Sequence, residues 1–316
     1  MKYLLLSACL IMILIISGCA TVPQPDIVKV SSDDTLISPA LADSQARTLK
    51  RVVAIARFSN ETNYGKGVYL TNNYDMGKQA MDILSTKLVQ SGKFIMLERS
   101  DLEFLERERN FDQSTINMIP ADYLIIGSIT DFGRRTTGRV GVFSRTQRQS
   151  ANSKVNIRLV DVKTGQIVYG ETGEGEAFSE AGTVLGAGSQ AGYDSTLNDK
   201  AIDAAISKLV ANIMNNLLNN PWKSYLLSEN DNMWIMAGGE AQGIQVGDTF
   251  NVMLRGETVI NPQTNLPIEL PGKKVALLRV LQMAGDNVQS EVSICELIDG
   301  QIDSNRLTDY YITDNL

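Results

Sequence analysis

The chain has 316 residues, of which 43% are hydrophobic and 21% charged, as is typical of a folded globular protein. Its 36 acidic residues outnumber its 29 basic ones, which argues against a surface that binds nucleic acid. It contains no histidine, which excludes Ser-His-Asp and Cys-His catalysis and all histidine-ligated metal sites. No pair of acidic residues has a spacing distinctive of acid–base catalysis. We therefore predict that the protein is not an enzyme and needs no metal or cofactor.

Residues 1–18 have the order of a signal peptide. Lys2 supplies a positive charge, an apolar stretch covers residues 4–16, and Ser17 and Gly18 are small residues directly before Cys19. The 13 residues of the apolar stretch are fewer than the roughly 20 that a transmembrane helix needs. A cysteine in this position resembles the lipobox of bacterial lipoproteins, whose thiol receives a diacylglyceryl group. We therefore predict cleavage before Cys19 and lipidation of its thiol.

The residue after this cysteine predicts the destination of the protein. Ala20 stands where an aspartate would resemble an inner-membrane retention signal, so we expect a lipid anchor in the outer membrane, with the protein facing the periplasm. Two or three acyl chains give stable attachment, since each buried carbon contributes about 0.8 kcal/mol. Cys9 is expected to leave with the signal peptide. The remaining Cys295 cannot pair with a lipidated Cys19, so no disulfide is expected.

Residues 19–48 are predicted to be a lipidated tether, because they are polar, contain three prolines and lack sustained periodicity. Residues 49–223 are predicted to form a layered α/β domain. Its strands are expected at 52–58, 94–97, 123–129, 155–159 and 166–169. Its helices are expected from about Asp75 to Gly92, from a capping box at Ser100 to about 110, and from 198 to 219 before Pro221.

Residues 224–316 have a different sequence pattern, in which short apolar stretches alternate with Gly- and Asn-rich turns. Strands are expected at 250–254, 274–281 and 289–295, and a loop at 261–265. This pattern predicts a small all-β module, for which a barrel is one possible arrangement.

Several stretches resemble one family. They are Phe94-Ile95-Met96-Leu97-Glu98-Arg99 with Leu102, Leu105 and Glu108-Arg109; Ile126-Gly127-Ser128-Ile129; and residues 155–162 with 164–167. Together with the lipobox they span about residues 19–219 and resemble the CsgG family of curli production assembly/transport components. The module after residue 225 is not part of the short curli channel lipoprotein. It is similar to the C-terminal modules of flagellar assembly T-type proteins.

The resemblance implies an outer-membrane lipoprotein whose periplasmic α/β domains form a homo-oligomeric ring. Each subunit would contribute two β-hairpins to a shared barrel, through which unfolded protein substrates pass without ATP. The family also implies a constriction loop with the pattern Tyr-x-x-x-Asn followed by an aromatic residue, and Tyr69, Asn73 and Tyr74 match it. An ordinary surface loop is the alternative, because Asn, Gly and Tyr are common loop residues.

The two candidate hairpins lie at about 130–160 and 170–195. If each strand alternates between faces, the first hairpin carries Arg135, Arg139 and Arg145 on one face. The second carries Glu174, Glu176 and Glu180 on one face, and small uncharged residues on the other. We hypothesise that these basic and acidic faces line a common lumen as neighbours. Soluble surface hairpins or Gly/Ser-rich loops are the alternative.

The sequence thus predicts a lipid-anchored component of a curli-type export channel that acts by passive transport through an oligomeric pore. The alternative is a periplasmic lipoprotein adaptor in cell-surface or flagellar assembly, which would form no barrel.

Overall fold

The computed structural model describes residues 27–31, 47–64, 75–102, 105, 119–140, 144–184, 187–188, 196–263, 265 and 267–314. Cys19, Tyr69, Asn73 and Tyr74 lie outside these residues, as do most of the tether and nearly all of the helix predicted after Ser100.

The first sheet and two helices make up an α/β body. The sheet has seven strands in the order β1-β6-β5-β4-β2-β3, with β7 pairing with β6. The strands are β1 (Ile27–Ser31), β2 (Arg51–Asn60), β3 (Phe94–Leu97), β4 (Tyr123–Val140), β5 (Ser144–Asp161), β6 (Ile167–Val184) and β7 (Ala187–Gly188), and the helices are α1 (Met76–Gln90) and α2 (Thr196–Leu218).

The first strand corrects the prediction of an irregular tether. Residues 27–31 pair in parallel with β6, with Ile27 opposite Glu174 and Ser31 opposite Phe178. The polar composition of the tether did not predict this strand, because its partner edge is about 150 residues away in sequence and cannot be found from local pattern.

Both helices pack on the same face of the sheet. The Asp75 carboxylate caps α1 by accepting hydrogen bonds from the Gly77 and Lys78 amides at 3.0 and 3.1 Å. Gly92 follows α1 with φ 65°, the left-handed conformation expected there. The apolar sides of α1 and α2 bury a core against the sheet. The core side chains include Ala80, Leu84, Leu88, Val53, Ile125, Val155, Ile157, Ile202, Ile206, Leu209 and Ile213.

Two glycines of β6 allow α2 to approach closely. A Cβ atom at Gly173 would lie 2.3 Å from the Ala205 carbonyl oxygen, and one at Gly175 would lie 2.4 Å from the Ala201 oxygen. These distances are well inside van der Waals contact, so neither position can carry a side chain while α2 keeps its place.

The second sheet begins directly after α2 and has its own core. Its strands are β8 (Lys223–Ser224), β9 (Leu226–Asn230), β10 (Met233–Ala237), β11 (Thr249–Leu254), β14 (Lys273–Ala284), β15 (Val292–Gly300) and β16 (Tyr310–Asp314), and β12 (Thr258–Ile260) with β13 (Pro267–Glu269) forms a separate hairpin. The strand order is β8-β16-β11-β14-β15-β10-β9. The core includes Trp222, Trp234, Phe250, Leu278 and Ile312.

Only Tyr225 separates the first strand of this order from the last, and the sheet nearly closes there. The Ala237 amide donates to the Tyr225 carbonyl oxygen at 3.0 Å, and the Ser224 hydroxyl donates to the Ala237 carbonyl oxygen at 2.5 Å. The second sheet is therefore barrel-like. The predicted fold class, an α/β body followed by a small all-β module, is confirmed.

Within the residues that the structure describes, no helix combines the length and apolar character needed to cross a membrane.

Candidate functional site

The central three strands of the first sheet extend past the strands on either side of them. Each of β4, β5 and β6 has 18 residues, about three times the usual strand length. Strand β2 pairs with β4 only as far as Ile129, and β1 pairs with β6 only as far as Phe178. We call the extension beyond β2, residues 131–140, 144–154 and 174–184, the arm. Its β4 part has ten residues, within the 9–11 that a transmembrane β-strand needs.

Helix α2 covers one face of the base of the arm, by which we mean the end next to Ile129 and the rest of the sheet. Phe132, Ala151 and Ala177 are buried there. The part of the arm that α2 covers ends at Arg134. The Arg134 guanidinium donates to the side chains of Asn198, near the start of α2, and of Gln149 at 3.1 and 3.2 Å. Residues 135–140 of β4 lie beyond this point. The small residues of β6 at the base are thus explained by helix packing, which the alternation of the sequence alone does not reveal.

The register of the three strands gathers the predicted charged positions on the other face. Opposite residues of an antiparallel pair share a face. Arg148 is opposite both Thr137 and Glu180, and Lys154 is opposite both Asp131 and Glu174. By the same register Arg135, Arg139 and Glu176 belong to this face. We call it the charged face, with Arg135, Arg139, Arg148, Lys154, Glu174, Glu176 and Glu180 at its positions.

Arg145 does not belong to this set, and its predicted place was wrong. The prediction carried one alternation from 135 to 146, as if the strand were continuous. Instead β4 ends at Val140, β5 begins at Ser144, and Arg145 is opposite Val140. The chain changes direction between β4 and β5, and in the resulting register the even-numbered positions of β4 share a face with the odd-numbered positions of β5. The position of Arg145 is therefore on the face opposite to Arg135 and Arg139.

The predicted second hairpin also differs from the structure in part. Residues 167–184 form one continuous strand that pairs with β5 along its length. Glu174, Glu176 and Glu180 thus lie directly beside the basic strand of the same subunit. Of the second strand predicted for this hairpin, the structure describes only β7, which pairs with residues 183–184 of β6.

Ion pairs connect β5 to β6 across the charged face. The Lys154 ammonium is 2.6 Å from a carboxylate oxygen of Glu174, and the Arg148 guanidinium is 3.4 Å from a carboxylate oxygen of Glu180. The Arg148 guanidinium also lies 4.2 Å from the centroid of the Phe178 ring. Both pairs are partly exposed, so each contributes at most about 1 kcal/mol to stability. They make the face polar and nearly balanced in charge.

Beyond Ile129 the outer edge of β4 pairs with no strand among the residues that the structure describes, and we call it the open edge. An open edge presents N–H and C=O groups that can pair with a strand of another chain.

A polar groove continues the charged face toward the base of the sheet. It has a volume of about 500 Å³ and lies on the face of the sheet opposite to α1 and α2. Its walls include Arg57 and Ser59 of β2, Ser128 of β4, and Asn156 and Arg158 of β5. The sequence analysis did not identify this groove as a site, although the alternating polar positions of β5 were a signal for an exposed face.

Both ends of the predicted constriction loop are fixed by the body. Before the loop, the Tyr64 ring packs on Phe132 with the centroids 4.6 Å apart. After it, Asp75 caps α1. Tyr69, Asn73 and Tyr74 lie between these points and outside the described residues. Tyr64, the last described residue before the predicted loop, therefore lies beside the base of the arm.

The structure places Cys295 at a buried position of the second core, where burial raises the pKa of its thiol to about 12. Among the described residues, no group of three or more His, Cys, Asp or Glu side chains could hold a metal ion.

Comparison with known proteins identifies the family. The family model described as curli production assembly/transport component CsgG matches residues 38–245. A protein of Neisseria meningitidis serogroup B that is named as a lipoprotein is 32% identical over 192 residues, which are 59% of this chain and 82% of that protein. The curli production assembly/transport component CsgG of Salmonella typhimurium is 31% identical over 186 residues, which are 50% of this chain and 65% of that protein.

Among solved structures, the PelC dodecamer from Paraburkholderia phytofirmans is similar over 52% of this chain and 89% of its own, with 17% identity and a TM-score of 0.28. A likeness this low carries no argument about function. The family match ends inside the second sheet, so the flagellar resemblance of the C-terminal module stays a prediction. Because the family model matches more than half of the chain, this protein belongs to the CsgG family.

Proposed function

We propose that this protein is a lipid-anchored subunit of an outer-membrane channel that exports unfolded protein subunits in a curli-type system. Transport would be passive, and the protein would not be an enzyme. The observation that carries this proposal is the arm, three long strands that extend past the rest of the sheet. Family membership supports the same role.

The open edge of β4 supports assembly into a homo-oligomeric ring. One edge of the arm is β4. The other is the outer edge of β6, which β1 covers at 174–178 and β7 covers at 183–184. Pairing of one subunit's β4 edge with the far side of the next arm, outside β7, would be a head-to-tail contact, which closes into a ring at the right rotation. A closed ring of strands leaves no unpaired backbone, as a membrane requires.

The charged face of the arm has the polarity that a lumen needs and would line it. The opposite face beyond Arg134 would then contact lipid. The positions of Gln147 and Arg145 also belong to that opposite face, toward the far end of the arm, so their polar groups would have to reach water at the membrane surface. The six positions of β4 beyond α2 extend about 20 Å along the strand. At a tilt of about 40° they would cross about 15 Å, a little over half of an apolar band about 25 Å tall. The predicted constriction residues Tyr69, Asn73 and Tyr74 would narrow the pore at the base of the arm.

The polar groove and the ion pairs of the charged face favour a second candidate function, that of a periplasmic adaptor. Arg57 and Arg158 are exposed in the groove and would suit a polar protein partner. In this account the arm stays in water, the lipid is the only attachment, and the partner belongs to cell-surface or flagellar assembly.

Cutting the tether after assembly separates the two candidates. A protease site inserted between Ala20 and Asp26 allows the lipid to be removed from protein that is already in the membrane. If the arm is embedded, we expect the cut protein to stay in the membrane fraction through a high-salt wash, because its lipid-facing strands still hold it.

Release of the cut protein into the soluble fraction would contradict the pore and favour the adaptor. The matched control is Cys19→Ala, which never receives the lipid. We expect this variant to lose stable attachment under either account, since both need the anchor for delivery.

A further inference from the structure

The segment between the tether and the first sheet is held by the second sheet. Leu49 packs against the second core, and the Lys50 amide donates to the Gln242 carbonyl oxygen at 2.8 Å. These contacts join residues about 190 positions apart. The chain therefore crosses the C-terminal module before it enters β2.

Arg47 makes the most specific contact of this segment. Its guanidinium forms two parallel hydrogen bonds with the Asp248 carboxylate, the one between Nη1 and Oδ1 being 2.9 Å long. Its Nε atom donates to the Gly243 carbonyl oxygen at 3.0 Å. A paired guanidinium and carboxylate in this geometry is among the strongest side-chain contacts and fixes direction as well as distance.

The receiving turn, residues 243–248, is shaped to fit the segment. The Asp248 carboxylate also accepts a hydrogen bond from the Gln245 amide at 2.8 Å, so the acceptor of Arg47 is held in place. Gly243 has φ 88°, and a Cβ atom there would lie 2.8 Å from the Thr48 carbonyl oxygen. Glycine is thus needed both for the turn and for the approach of the segment.

Arg51, which follows Lys50, connects the segment 47–50 to the α/β body. Arg51 is buried and donates to the carbonyl oxygens of Leu49 and Leu218 at 2.6 and 3.2 Å, and to that of Asn220. Burial lowers the pKa of this guanidinium. The C-terminal end of α2 is therefore joined to the same point.

We infer that the C-terminal sheet is a clamp for the tether. It holds residues 47–50 through Arg47, Leu49 and Lys50, so a force that reaches this segment passes to the second sheet and α2 before it reaches β2. Strand β1 is a separate attachment of the chain, to β6. This role requires neither a pore nor a ring.

Hydrogen exchange of the Lys50 amide in the full-length, detergent-extracted lipoprotein tests the clamp. Asp248→Asn keeps an acceptor for the Gln245 amide and removes the charge that holds Arg47. Gly243→Ala pushes the turn away from Thr48. In both variants we expect the Lys50 amide to exchange roughly tenfold faster than in the wild type, because the contacts around it open.

Asp299→Asn is the matched control, an exposed aspartate of the same sheet, and should leave the Lys50 exchange rate unchanged. Fluorescence of Trp222 and Trp234 reports whether the second core stays folded in each variant. If the cores are intact and the Lys50 amide exchanges at the wild-type rate in both test variants, the clamp is refuted.

Discussion

Gly175→Val is expected to destabilise the α/β body by roughly 3 kcal/mol or more, at the upper end of the cost of overpacking. A Cβ atom at this position would lie 2.4 Å from the Ala201 oxygen and 2.4 Å from the Ala205 nitrogen. These are backbone atoms of α2, which cannot move aside as the end of a flexible side chain can. The helix must shift as a unit and so lose contact with the core.

Chemical denaturation followed by circular dichroism measures this change in the free energy of unfolding. Gly170→Val is the matched control, because Gly170 lies on the same strand but its Cβ atom would meet only ordinary contacts, the nearest at 3.7 Å. Valine suits a strand better than glycine, so the control should be neutral or slightly stabilising. Equal destabilisation by both substitutions would show that the close approach of α2 is not the cause.

Reversing the charge of Glu176 and Glu180 together is expected to lower either channel assembly or conductance strongly. The charged face would line the pore, so each substitution is repeated in every subunit of a ring. Glu180 also lies beside Arg148, and a lysine there would place two positive charges across neighbouring strands. Repulsion within each arm and a more positive lumen would then act together.

Planar-bilayer recordings of the detergent-extracted Glu176→Lys/Glu180→Lys variant measure conductance and ion selectivity. Glu257→Lys, an exposed glutamate directly before β12, changes the charge of the protein without touching the arm and should behave as the wild type. Channels of unchanged frequency, conductance and selectivity in the double variant would remove these glutamates from the lumen.

Local chemistry in the sequence predicted much of this fold. Asp75 followed by an apolar stripe predicted the start of α1, and Gly92 its end, because capping and left-handed backbone depend on neighbouring residues only. The long α2 and three strands of the second sheet, β11, β14 and β15, were predicted for the same reason, with boundaries within about five residues. Strands β8, β9, β10 and β16 were not predicted.

What depended on distant parts of the chain could not be predicted this way. Alternation separated charged from uncharged positions on β6, but it could not give the register across the turn, so Arg145 was assigned to the wrong face. Gly173 and Gly175 belong to the small, uncharged face predicted for the second hairpin, and the sequence did not show that α2 packs onto them. Strand β1 and the contact of Arg47 with Asp248 are likewise invisible to local pattern.

The role of the arm is most directly tested by electron microscopy of the full-length, lipidated protein extracted in mild detergent. If neighbouring arms pair through the open edge of β4, we expect rings with a central hole that fall apart in SDS or on heating. Single subunits or small assemblies without a hole, obtained from protein that carries its lipid, would contradict the channel.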